Sequence, residues 1–191
     1  MYITTAVESG DRHLASHGRI SGPLETEPTK PRAHVCQPGM RVSVIGGGTI
    51  TDEQTTRANT VGRELAARGH TVVCGGRGGT MEAVCRGAKT EGGTTIGILP
   101  GEHRERANDY VDIAIATGLG HARNALVPLN GDAVIALAGG VGTLSEIGLA
   151  GVYDRPVVGL GTHDLSGLEI DLEAVETPVA AVDAAEAAVE Q

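Results

Sequence analysis

The residues Gly139-Gly140-Val141-Gly142-Thr143-Leu144-Ser145-Glu146 set a carboxylate one helical turn after a glycine-rich bend, directly behind the apolar run 132–137. A strand that ends in such a bend and opens into a helix leaves its first backbone N–H groups free. The helix dipole then favours an anion there, and glycine lets that anion approach closely. A phosphate is the natural occupant. The same residues also spell a capping box, Thr143-x-x-Glu146, in which the threonine caps the helix and the glutamate reaches back to the cap. The residues alone leave both readings open.

Arg123 stands 23 residues before Glu146. It falls in the first turn of an expected helix, where a cation meets the positive end of the dipole. A bound anion explains that placement, because the guanidinium fork suits phosphate; a solvated arginine or an ion pair explains it as well. If their strands are neighbours, Arg123 and Glu146 reach one cleft. A glutamate beside an arginine and a helix N-terminus is expected to stay ionised, fit for a base or for stabilising positive charge. His121 reads as a helix-start residue, since no companion at ligand spacing supports a metal. Arg77 reads as a surface residue, with a phosphate contact as the alternative.

These side chains need a frame, and from Arg41 onward short apolar runs alternate with helical segments. That is the pattern of a mostly parallel sheet with helices on both faces, a Rossmann-like α/β domain. Strands are expected at Arg41 to Ile45, Thr71 to Cys74, Thr94 to Leu99, Asp112 to Ala116, Asp132 to Leu137 and Pro156 to Leu160. Helices are expected from Asp52 to Ala67, Met81 to Thr90, His121 to Leu129 and Leu144 to Tyr153, with an alanine-rich terminal helix of few specific contacts from Pro178 to Glu190. The charged loop from Pro100 to Tyr110 is placed to cover a ligand. Three glycine turns, at 46–48, 75–79 and 139–142, fall at carboxyl ends of strands, where open parallel sheets bind ligands. The candidate phosphate or nucleotide contacts are therefore Gly46, Gly47, Gly48, Thr49, Gly76, Gly139, Gly140, Val141, Gly142 and Thr143. None of the turns fits G-x-G-x-x-G, which disfavours a nicotinamide dehydrogenase, and no Walker A pattern occurs.

Composition narrows the partners. The 191 residues carry a net charge of −9, with no Phe, no Trp and three Tyr. Residues 1–39 balance four basic against four acidic groups, so the remainder holds all the excess. Such a chain is expected to avoid nucleic acid and anionic membranes, and it lacks the aromatics for a base-stacking platform. Acid excess with only Lys30 and Lys89 as lysines suggests adaptation to high salt, whose signature is a fold that weakens when salt is removed. Cys36, Cys74 and Cys85 lack metal or disulfide spacing and read as reduced thiols. Without a signal-like or membrane-length apolar segment, a soluble cytoplasmic protein is expected. Residues 1–39 read as a disordered tail or a mispredicted start, and 40–191 as the folded domain.

In order, Gly75-Gly76-Arg77-Gly78-Gly79-Thr80-Met81-Glu82, Gly97-Ile98-Leu99-Pro100, Gly118-x-x-x-x-Arg123-Asn124 and Gly139-Gly140-Val141-Gly142-Thr143-x-x-Glu146 resemble the LOG and lysine-decarboxylase-like group of Rossmann-type proteins. The branch that includes molybdenum-cofactor carrier proteins is the nearest match, over about residues 41–160. For the LOG enzymes the resemblance implies hydrolysis of a nucleoside 5′-monophosphate at its N-glycosidic bond. The turn from Gly140 to Thr143 would hold the phosphate, Glu146 would stabilise an oxocarbenium-like ribose and guide water, and Arg123 would orient substrate. No cofactor is required in that reading. Asn124 stands where LOG enzymes have lysine and Ala138 where they have proline, departures that favour a non-catalytic carrier or sensor, for example of molybdenum cofactor. The resemblance also implies a homo-oligomer, a dimer or higher, in which a neighbour completes the site.

Overall fold

The computed structural model describes residues 39–167 and 170–190. The expectation for the N-terminal segment, Cys36 included, lies outside the described residues. Seven strands form one parallel sheet: β1 Arg41–Ile45, β2 Thr71–Cys74, β3 Thr95–Leu99, β4 Ile113–Ala116, β5 Ala133–Leu137, β6 Val157–Leu160 and β7 Leu172–Val175. Their order is β4-β3-β2-β1-β5-β6-β7, so the chain reverses direction of travel across the sheet between β1 and β5. Val42 pairs with Ala133 and Ile45 with Ala136 across that junction. Crevices at such switch points are where doubly wound sheets bind ligands.

Alternation along the strands builds two cores. Val42, Val44, Val72, Ala133, Ile135, Leu137, Val158 and Leu160 face one side, covered by helices α1 (Asp52–Ala67), α2 (Thr80–Thr90) and α5 (Pro178–Val189). Ile45, Val73, Val134, Ala136 and Val157 face the other, against Val127 of α3 (Leu126–Leu129) and Ile147 and Ala150 of α4 (Val141–Val152). Strands buried on both faces read as continuous aliphatic runs, which is how β5 appears in the sequence. The aromatic-poor composition is matched by close helix contacts: a Cβ at Gly62 would run into Val84 O, and one at Gly87 into Asn59 O, so α1 and α2 meet backbone to backbone.

Several local expectations change. The helix expected from Leu144 begins at Val141, with Gly140 as its cap and no side-chain capping bond, so the Thr143–Glu146 capping box does not form. A capping box does open α1, where Thr51 and Gln54 exchange side-chain and backbone hydrogen bonds. The helix expected from His121 to Leu129 is a 3-10 segment, Gly120–Ala125, leading into the single turn of α3. β7 was not expected: its Leu-Glu-Ala-Val is short and only half-buried at the sheet edge, which weakens the apolar signal. The terminal helix is firmly held rather than lightly attached. Ala181, Val182, Ala184 and Ala185 are buried, and Glu186 carboxylate oxygens lie 2.7 Å from His70 Nε2 and 2.8 Å from Arg68 Nη1. Among the described residues, no helix is long and apolar enough to cross a membrane.

Candidate functional site

The three glycine turns follow β1, β2 and β5, which are neighbours in the sheet, and backbone bonds lace them together. Gly47 N–H donates to Ala138 O at 2.9 Å, and Thr80 N–H donates to Gly47 O at 2.9 Å. The first hydrogen bond of α4 is donated by Leu144 N–H to Gly140 O, and among the described residues the N–H groups of Val141, Gly142 and Thr143 are free at the helix start. These are the donors that the sequence pattern promised to an anion.

They open onto a cleft of about 220 Å3 lined by Gly46, Gly47, Gly48, Met81, His121, Arg123, Asn124, Gly140, Gly142, Thr143 and Glu146. Of the expected contacts, Thr49, Gly76, Gly139 and Val141 do not line it. Val141 is 82% exposed and offers only its N–H. Gly76 is committed elsewhere, its N–H to Cys74 Sγ and its carbonyl to the Asn108 N–H. Gly75 serves the cleft in its place: a Cβ there would stand 2.5 Å from Arg123 Nη1, so the guanidinium rests on bare backbone. Spacing did not reveal that role, because Gly75 and Gly76 are indistinguishable as sequence. Met81 and Asn124 were also missed as lining residues. Asn124 carried a signal, its adjacency to Arg123. The loop 100–110 ties back to the second glycine turn through Asn108, whose amide donates to Arg77 O at 2.9 Å, and does not line the cleft.

Arg123 and Glu146 meet, but not by the expected route: β4 and β5, the strands that precede them, are not neighbours in the sheet, and Arg123 lies in the last turn of its 3-10 segment rather than the first turn of a helix. Nη1 and Oε1 are 3.6 Å apart, an ion pair without a hydrogen bond, in residues only 9% and 7% exposed. Arg123 Nε is buried with no hydrogen-bond partner among the described residues. The pair is thus electrically matched but poorly satisfied, which is costly unless a ligand supplies acceptors. Burial pushes the Glu146 carboxyl up to about 7, against the opposing pull of Arg123. The expectation that Glu146 stays ionised is therefore corrected: desolvation outweighs a guanidinium held at ion-pair rather than hydrogen-bond distance. Burial likewise draws the Arg123 guanidinium down, opposed by Glu146. A larger cavity of about 580 Å3 lies at the carboxyl ends of β6 and β7, walled by Leu165, Ile170, Leu172 and Val175. Among the described residues that line it there is no buried ionisable pair, whereas the smaller cleft holds Arg123 and Glu146.

Residues 39–189 match the sequence model of LDcluster4, the SLOG cluster4 family. The chain belongs to the SLOG cluster4 family. Among relatives of this SLOG cluster4 protein is a cytokinin riboside 5′-monophosphate phosphoribohydrolase of Mycobacterium marinum, 38% identical over 110 residues, which are 53% of this chain and 59% of the enzyme. The chain thus spans less than two thirds of that relative's length. Among the solved structures that match over nearly their whole length are two molybdenum cofactor proteins. The molybdenum cofactor binding protein of Rippkaea orientalis is 36% identical with a TM-score of 0.73, covering 78% of this chain and 96% of its own. The molybdenum cofactor carrier protein of Chlamydomonas reinhardtii is 33% identical with a TM-score of 0.74, covering 80% and 99%.

Proposed function

We propose that the cleft binds a nucleoside 5′-monophosphate by its phosphate and hydrolyses the N-glycosidic bond, releasing base and ribose 5-phosphate. The observation that carries this reading is the buried Arg123–Glu146 pair beneath the free N–H groups of α4. The phosphate takes those donors. Ribose then lies over Glu146, whose carboxylate, once ionised, stabilises the oxocarbenium-like centre and accepts a proton from the attacking water. Arg123 supplies its unpartnered Nε and fixes the sugar phosphate in place. The name of the mycobacterial relative agrees with this chemistry.

A second reading is a carrier that holds a pterin-type molybdenum cofactor by its phosphate without turnover. It is favoured by Asn124, a neutral side chain in the cleft wall, and by the near-complete overlap with two proteins named for that cofactor. Among the described residues, no group of three or more His, Cys, Asp or Glu is placed to hold a metal ion, so the phosphate donors are the part of this site that fits such a cargo. The deciding assay is release of free base from a panel of nucleoside 5′-monophosphates in high salt, by the parent and by Glu146→Gln. The expected outcome is release by the parent and, in the variant, loss of turnover by at least about 100-fold with binding retained. No release from folded parent protein rejects the hydrolase and favours the carrier.

A further inference from the structure

We infer that His121 is the general acid that protonates the departing purine, an inference that rests on the hydrolase reading above. When the C1′–N9 bond breaks, its electron pair moves onto N9, and a purine leaves poorly as an anion. A proton delivered to N7 lets it leave neutral. Three ionisable side chains line the cleft among the described residues: His121, Arg123 and Glu146. Arg123 does not surrender its proton. Glu146 is taken by the other half of the reaction, since it must be ionised to face the developing positive charge and to receive the water proton. His121 remains, and imidazole is the side chain that donates and recovers protons most readily near neutrality.

Position agrees with that role. His121 and Arg123 stand two residues apart in the 3-10 segment Gly120–Ala125. That segment is held by Gly120 N–H donating to Pro100 O at 2.8 Å and by Ala122 N–H donating to Leu119 O at 3.1 Å. Arg123 and Glu146 are buried, whereas His121 is exposed at the rim of the same cleft. Among the described residues its ring makes no hydrogen bond, so both nitrogens are free for a ligand. With phosphate on α4 and ribose over Glu146, the base projects toward that rim. The balance closes: His121 gives a proton to N7, the C1′–N9 pair goes to N9, water oxygen bonds C1′, and the water proton goes to Glu146. Solvent then takes the proton from Glu146 and returns one to His121.

The test compares guanosine and inosine 5′-monophosphates with their N7-methyl forms, whose fixed positive charge lets the base leave without protonation. For His121→Asn and His121→Gln, turnover of the unmethylated substrates is expected to fall by at least about 100-fold. Turnover of the N7-methyl substrates is expected to stay within threefold of the parent's, which also shows that the variants fold and bind. Equal loss on both substrate types, or no loss on either, overturns the assignment while leaving the hydrolase intact. A parent that cleaves none of the four overturns the acid assignment, and the wider nucleoside 5′-monophosphate panel decides the hydrolase separately.

Discussion

Glu146 carries a titration that stability measurements can read. Its carboxyl ionises at about 7 in the folded protein against an ordinary 4.5. Between those values the native state keeps a proton that the unfolded chain has released. The contribution of the neutral acid is therefore full below 4.5 and is lost as pH rises through 7. The total is on the order of 3 kcal/mol. Urea unfolding of the parent and of Glu146→Gln at pH 5 and pH 8 isolates it: the stability difference between the two proteins should change by about that amount. A difference independent of pH would show that Arg123 and solvent compensate the burial. The bend from Gly140 to Thr143 with its free donors and nearby carboxylate was legible in the sequence, because residue type and spacing define it, whereas the Arg123–Glu146 contact is made across strands that are not neighbours, a route that spacing did not show. The ionisation of Glu146 was not legible either, since it depends on how deeply the fold buries the pair.

At the scale of elements, the strands and long helices followed from apolar alternation and from helix stops such as Gly69. The misses cluster where those signals fade. Edge strand β7 buries too little to show a pattern, and the segment from Gly120 to Leu129 interleaves a 3-10 stretch with one α turn. The start of α4 moved because Gly140, not Thr143, occupies the cap. The α1–α2 contact was hidden for another reason: Gly62 and Gly87 sit inside helices, where sequence reads glycine only as a weakness. Packing makes them necessary. Gly87→Ala should drive a methyl into the Asn59 carbonyl and lower stability by about 1–3 kcal/mol, seen as a lower urea midpoint at unchanged slope. An unshifted midpoint would mean that the helices separate freely.

Helix α4 carries no charged residue on its exposed face. Val141 and Val152 of α4 are 82% and 74% exposed, with Leu144, Leu119 and Leu129 also at the surface. Apolar faces of this kind mark association surfaces, and this one begins at the cleft itself. The homo-oligomer that the sequence resemblance implies would bury this face. Val152→Asp should convert the oligomer to monomer in light scattering coupled to size exclusion, and a parent that is already monomeric would reject the assignment. Within the sheet, the adjacency of β1 and β5 joins stretches of chain that are far apart in sequence, and the cleft straddles that seam. A bound ligand is therefore a clasp. Unzipping the sheet at its centre must first expel the ligand, so amide exchange in β1 and β5 should slow together as ligand is added, with about 2.7 kcal/mol of protection at a hundredfold excess over Kd.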